Sequence, residues 1–279
     1  MKWRILLGLG LVVVLLGGGA RRPTLAERLD GRPMPEFFAV QSGGREVAYA
    51  ATGPQDAPLI VFVHGTPGSW QAFLDYLIDP RLADTHRLVS IDRPGWGRSG
   101  SGQLLTSLAA QAAAVAAVIE AQESNRGVFT VGHSLGGTIV ARLAGDRPDL
   151  VDGTVIISGS LDPDVERPTW YQAMVRWKLV RWVVPDDLDW ANAELEPLPE
   201  ELAEMTGRWK RLDGVVAVLH GAKDGLVPVE HAGYVERLAQ NADVRTVGWP
   251  KEGHFVLWSN RALVVDEILA TIDRSARGE

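Results

Sequence analysis

The sequence predicts an α/β protein built on a mostly parallel sheet. Short apolar runs alternate with helical patterns along most of the chain, which is how strands joined by right-handed crossover helices read. Several of these runs, such as Leu59 to His64 (LIVFVH), are apolar at nearly every position, as strands covered on both faces must be. A third observation is local. Val128 to Gly137 reads VFTVGHSLGG, a β-branched run, a Gly-rich turn and then an Ala-rich helical stretch from Thr138 to Ala144.

Composition narrows the class. A chain of 279 residues that is 46% hydrophobic can bury one large core and carry an insertion. Its formal net charge of -7 offers no basic field for phosphates, so no nucleic-acid partner is expected. With no cysteine, disulfides, Cys-ligated zinc and thiol catalysis are excluded.

In chain order, Met1 to Ala20 has Lys2 and Arg4, an apolar run from Ile5 to Leu16, then Gly-Gly-Gly-Ala, the layout of a signal peptide or signal anchor. As a helix, Ile5 to Ala20 would be about 24 Å long, short of the roughly 30 Å hydrocarbon core. Arg21 and Arg22 follow Ala20 at once and make a poor start for an exported chain. The expectation is an uncleaved membrane anchor with the remaining chain extracytoplasmic; export after cleavage is the alternative, and basic residues on both flanks leave orientation open. Residues 21–36 read as a polar linker with three prolines. Phe37 to Val40 and Arg45 to Ala51, separated by Ser-Gly-Gly, read as a hairpin opening the main domain, 37–279.

Strands are then expected at Leu59–His64, Leu88–Asp92, Val128–Val131, Val151–Ile157, Val215–Leu219 and Val244–Val247, and helices at Gln71–Ile78 and Ser107–Gln122. Between Leu161 and Asp213 the alternation stops. That stretch carries Trp170, Trp177, Trp182, Trp190 and Trp209 and no strand pattern, so it is expected to be a helical cap with an aromatic underside.

The turn at Gly132, Ser134 and Gly136 fits G-x-S-x-G, in which a serine sits on a strained strand-to-helix corner at a helix N-terminus. A serine nucleophile needs a histidine base and an acid that fixes its tautomer. Asp224, in GAKDGLVP, follows the strand at Val215–Leu219, and His254, in EGHF, follows the strand ending at Val247. Parallel strands put both loops on the edge that carries Ser134. Asp162, after the strand ending at Ile157, is the rival acid.

The motifs HGTPGS, DRPGWGRS, GHSLGG, GAKDGLVP and EGHF, in that order, resemble the α/β-hydrolase superfamily, in its single-domain group with a helical cap, over roughly Phe37 to Arg274. The resemblance implies a Ser134, His254, Asp224 triad and an oxyanion hole made by the backbone N–H groups of Thr66 and Leu135. It also gives His64 a part in shaping the oxyanion turn, and Asp92 a structural part in its loop; His86, His220 and His231 receive no role. It implies no metal or cofactor, and a small-molecule ester as substrate, cleaved by a carboxylesterase or lipase-like enzyme. Ser134 in place of aspartate departs from haloalkane dehalogenases and epoxide hydrolases, and proline iminopeptidases differ at the first motif and the elbow. Carbon–carbon bond hydrolysis, amide hydrolysis, perhydrolysis and a non-catalytic binding role are the alternatives. Trp170, Trp177 and Trp182 in the cap and Trp70 in the core loops are the candidate substrate-binding residues, with Trp96 beside them.

Overall fold

A computed structural model of the chain describes residues 24–124, 126–166 and 185–278. Within them eight strands form one sheet in the order β1-β2-β4-β3-β5-β6-β7-β8. The expected hairpin is β1 (Glu36–Ser42) and β2 (Arg45–Thr52), and β2 pairs antiparallel with β4 (Arg87–Ile91). The other pairs are parallel and join β3 (Leu59–Val63), β5 (Val128–His133), β6 (Gly153–Ile157), β7 (Val215–Gly221) and β8 (Asp243–Trp249).

Strand β3 shows why its run is apolar throughout. Val61 and Val63 face one core cluster and Ile60 and Phe62 the other, each with no exposed surface. Alternate side chains leave opposite faces of a strand, so a sheet covered on both sides has no polar face to reveal its period. Burying each such side chain stabilises the fold by roughly 2 kcal/mol.

The first cluster is closed by helices α4 (Leu108–Glu120) and α5 (Leu135–Asp146), and the second by α2 (Leu74–Leu77) and the long C-terminal helix α8 (Arg261–Arg277), with α1 (Leu25–Leu29) and α3 (Pro80–Ala83) at its margin. Ser107 caps α4 by accepting from Ala110 N–H, which starts that helix one residue later than the pattern alone suggests.

The linker reading of residues 21–36 needs correction. Thr24 and Glu27 form a reciprocal capping box that starts α1, Leu29 is buried in the second cluster, and β1 begins at Glu36. The Thr-x-x-Glu spacing is the sequence signal for this start, set among prolines that suggest a linker. The apolar stretch from Met1 to Ala20 lies outside the described residues, and among the described residues no helix is long and apolar enough to cross a membrane.

The insertion is helical where it is described, with α6 (Asp186–Leu195), α7 (Leu198–Met205) and a 3-10 turn at Thr206–Arg211. It is not all lid. Leu198, Leu202, Met205 and Trp209 are buried in the first core cluster, so Trp209 is a core residue and no part of an exposed aromatic underside. Trp170, Trp177 and Trp182 lie outside the described residues.

Candidate active site

Register places the site. His133 on β5 pairs with Ile157 on β6, Ile157 with Leu219 on β7, and Leu219 with Val247 on β8, so the loops that follow these strands leave one edge of the sheet together. Ser134, Asp224 and His254 all lie in those loops.

Ser134 has φ 55° and ψ -126°, a conformation that non-glycine residues avoid, and its N–H donates to the carbonyl of Ile157 at 2.9 Å. The two flanking glycines are required by close approach: a Cβ on Gly132 would collide with the Gly136 backbone, and one on Gly136 with the Val63 carbonyl. The turn therefore packs α5 tightly onto β5 and β3 and leaves Ser134 half-exposed at its apex. Leu135 is the first residue of α5, where the backbone N–H has no acceptor within the helix and the helix dipole favours negative charge.

The HGTPGS loop lies against this corner. A Cβ on Gly65 would stand 2.8 Å from Ser134 Cβ and 3.4 Å from its Oγ, so nothing larger than glycine fits there. His64 is fully buried; its Nδ1 donates to the Gly65 carbonyl at 2.7 Å and its Nε2 accepts from Arg93 N–H at 3.1 Å. Burial, then the charge of Arg93, hold its pKa well below the ordinary imidazole value, so it stays neutral and shapes the turn. Thr66 follows, half-buried, with its Oγ1 buried and without a hydrogen-bond partner among the described residues.

On the other side, His254 Nδ1 donates to Asp224 Oδ2 at 2.8 Å. Asp224 Oδ1 accepts from the N–H groups of Leu226 and Val227, both at 2.9 Å. Burial pushes this carboxyl up, but hydrogen bonding from His220 and His254, the charge of His254 and the Val227 N–H outweigh it and hold it well below the usual carboxylate range. The sequence missed His220. Its Nε2 lies 3.4 Å from Asp224 Oδ2 and 3.1 Å from the Val227 carbonyl, so it braces the loop that carries Asp224. Its position four residues ahead of Asp224, at the end of a buried strand, was the available signal.

His133 links the halves. Its Nε2 donates to the His254 carbonyl at 2.8 Å and the two rings lie 4.9 Å apart, which sets His254 beside the corner residue next to Ser134. Burial, then His254, push His133 down to about 3, so it remains a neutral brace. Trp258, also missed, packs its ring 5.4 Å from His133 and anchors its indole N–H on the Ala72 carbonyl.

The rival acid is elsewhere. Asp162 accepts from Asp164 N–H and lies 3.4 Å from Arg237, and its own N–H donates to His231. Asp92 is structural: fully buried, it accepts from the N–H groups of Trp70 and Arg98. Trp70 does not suit a substrate contact, because its ring is 6% exposed and packed edge-on against Phe37 in the second cluster. Trp96, 3% exposed, packs against Trp190 of α6 at 6.0 Å and against His64 at 6.4 Å. Among the described residues no group of His, Cys, Asp and Glu is arranged to hold a metal ion.

The model of the alpha/beta hydrolase family matches residues 60–267, an interval holding the Ser134 corner and both loops just described. The chain belongs to that family. It is 32% identical over 184 residues to the dihydrolipoyllysine-residue acetyltransferase component of an acetoin cleaving system from Cupriavidus necator, an alignment that takes in 66% of this chain but only 48% of that protein. It is 29% identical over 234 residues to a non-heme chloroperoxidase of Streptomyces lividans, with 68% of this chain and 83% of that one covered. A solved structure assigned as an aryl esterase, from Burkholderia cenocepacia, superposes with TM-score 0.70 at 22% identity, over 87% of this chain and all (100%) of that one, and so shares the fold.

Proposed function

We propose that the chain is a serine hydrolase that cleaves carboxylic esters through an acyl-enzyme. The observation that carries this reading is the His254–Asp224 pair, with Nδ1 and Oδ2 2.8 Å apart, seated across His133 from a serine held at positive φ on a helix N-terminus. In this reading His254 takes the Ser134 proton as Oγ attacks the ester carbonyl, and returns it to the leaving alcohol. Asp224 keeps Nδ1–H oriented, so Nε2 is the basic nitrogen, and stabilises the imidazolium. The N–H groups of Thr66 and Leu135 receive the oxyanion, a contribution of about 3 kcal/mol per donor. Water then attacks the acyl-enzyme by the same path in reverse.

Labelling with a fluorophosphonate tests the reading without a guess of substrate. Wild type is expected to be labelled and Ser134→Ala not; an unlabelled wild type would sink it. A panel of ester, amide and carbon–carbon bond substrates then separates these chemistries, and a series of nitrophenyl esters gives the preferred acyl length. The likeness to a non-heme chloroperoxidase favours one second reading, in which hydrogen peroxide replaces water as acyl acceptor; peracid formation from an ester and peroxide is its test.

We further propose that the Met1 to Ala20 stretch holds the enzyme at a membrane, on the strength of the apolar run and its basic flanks, with the hydrolase domain extracytoplasmic because the stretch has the layout of an export signal. Full-length protein should stay with membranes through a carbonate wash, and a chain starting at Thr24 should be released and active. Full-length protein recovered in the wash would refute the anchor.

A further inference from the structure

Arg93 lies two residues beyond β4, and its side chain has no exposed surface; neither has that of Glu194 on cap helix α6. The two meet through a double contact, Nη1 to Oε1 at 2.7 Å and Nη2 to Oε2 at 3.0 Å. Nη1 also donates to Gln111 Oε1. The remaining donors turn to the loop beside the nucleophile: Nε donates to the His64 carbonyl and Nη2 to the Gly65 carbonyl, each at 2.9 Å. A bidentate Arg–carboxylate pair fixes the guanidinium plane as well as its charge.

The Gly65 carbonyl and the Thr66 N–H belong to one peptide plane. That plane is trans, since the cis bond is the next one, between Thr66 and Pro67. In a trans peptide the N–H points away from the carbonyl, so whatever grips the oxygen aims the hydrogen. Two donors grip the Gly65 oxygen, Arg93 Nη2 at 2.9 Å and His64 Nδ1 at 2.7 Å. Donors on the oxygen also polarise the amide, which makes its N–H a stronger donor on the far side.

We propose that Arg93 and Glu194 are a positioning pair that aims the Thr66 N–H and couples the cap helix to oxyanion binding. The inference rests on the reading of Ser134 as the nucleophile. Arg93 touches no reacting atom; it acts through the Gly65–Thr66 peptide, and Glu194 acts through Arg93. A purely structural pair would alter stability alone. A positioning pair alters turnover at constant substrate binding, because misplacing a catalytic group by even 1 Å costs up to about 100-fold.

The test uses full-length protein with two variants. Arg93→Met combined with Glu194→Leu removes both charges at similar volume, a change that buried ion pairs commonly tolerate or even profit from in stability. Glu194→Gln keeps the shape and weakens the grip. Thermal midpoint, kcat and KM on a nitrophenyl ester, and the rate of fluorophosphonate labelling are measured for each. For the double variant the expected result is a folded protein whose kcat and labelling rate fall roughly 10- to 100-fold while KM stays nearly unchanged. Glu194→Gln should show the same split to a smaller degree. A folded double variant with wild-type kcat overturns the proposal; should that variant not fold, wild-type kcat in Glu194→Gln overturns it instead. Failure of wild type itself to label is a different result, which counts against the nucleophile and not against the pair.

Discussion

The sheet edge and the insertion over it are made in different ways. At the edge, function hangs on short loops held by close-range bonds to backbone groups: the Ser134 N–H on the Ile157 carbonyl, the Asp224 carboxylate on the N–H groups of Leu226 and Val227 in its own loop, and the His254 carbonyl on His133. In the insertion, contact with the core is made by single long side chains reaching down: Glu194 to Arg93, Glu201 to the Leu108 N–H, Arg208 to Asp146, Trp190 to Trp96. The lesson is one of tolerance. A loop fixed by backbone geometry requires a particular short motif, whereas a helix held by side chains needs only the right few residues at helical spacing.

If that contrast is right, the largest effects lie at the edge. Ser134→Ala and His254→Ala should each lower ester hydrolysis by roughly four to six orders of magnitude while circular dichroism and thermal midpoint stay close to wild type, because such residues act as a unit. Residual activity within a factor of about ten of wild type in either would mean that another nucleophile or base operates.

Asp224→Asn should follow, with a loss on the order of 10⁴-fold through loss of tautomer control. Asp162→Asn should leave turnover near wild type, since Asp162 faces Arg237 and not His254. The reverse pattern would move the acid to the loop after β6.

These two residues also show how much was legible. The placement of Ser134, Asp224 and His254 on one sheet edge could be read because each sits in a contiguous motif after a strand with a clear apolar run. Parallel topology did the rest, by sending all such loops to one edge. His220 and Trp258 were not legible, because a brace is identified by what it touches across space and a strand-end histidine looks the same with or without a partner. Trp70 misled for a related reason: its nearness in sequence to the HGTPGS loop says nothing about which face its ring takes, and it takes the packed one. In the insertion, helices were foreseen, but the division of its side chains between core and site depends on how those helices lie on the sheet, which a local pattern does not encode.

A smaller effect tests the root of the insertion. His231 Nδ1 accepts from the N–H groups of Leu161 at 3.1 Å and Asp162 at 3.0 Å, where the inserted segment leaves β6, and its Nε2 lies 3.5 Å from Glu166. Burial, then His220, push it down to about 4, against Asp162, Glu230 and Asp224, which pull the other way. A protonated ring would turn a donor toward two donors. The folded value is depressed below the ordinary 6.5, so between about pH 6.5 and 4 the unfolded chain takes up a proton that the folded one refuses. Stability from this group is complete above that window and is lost as pH falls through it, by up to about 3 kcal/mol. Urea midpoints at pH 7.5, 6 and 5 (about one unit steps across the window) should fall steadily for wild type and less steeply for His231→Asn. Equal slopes would show that the acid response comes from groups other than His231, such as His64, His86 and His133, which burial also depresses.

The smallest expected effect concerns selectivity, and it asks whether the insertion does more than cover the edge. Trp190 on α6 is half-buried, with its ring edge-on to Trp96, and Trp96 in turn packs on His64 at the start of the loop beside Ser134. Trp96, 3% exposed, backs Trp190 and leaves it as the partly open aromatic face, which would then serve as an apolar wall for an acyl chain bound at Ser134. Each methylene laid on such a wall should improve kcat/KM by about 0.8 kcal/mol, close to fourfold, until the wall ends. Trp190→Phe keeps the wall and should preserve the order of nitrophenyl esters by chain length. Trp190→Ala should flatten that series, with acetate hydrolysis and fluorophosphonate labelling changed by less than about threefold, since the corner at Ser134 is held by the sheet and not by the cap. A Trp190→Ala series parallel to wild type would place the acyl site away from α6. A loss shared equally by acetate and long esters would mean that Trp190, like Glu194 on the same helix, acts on the chemistry at the edge and not on the choice of substrate.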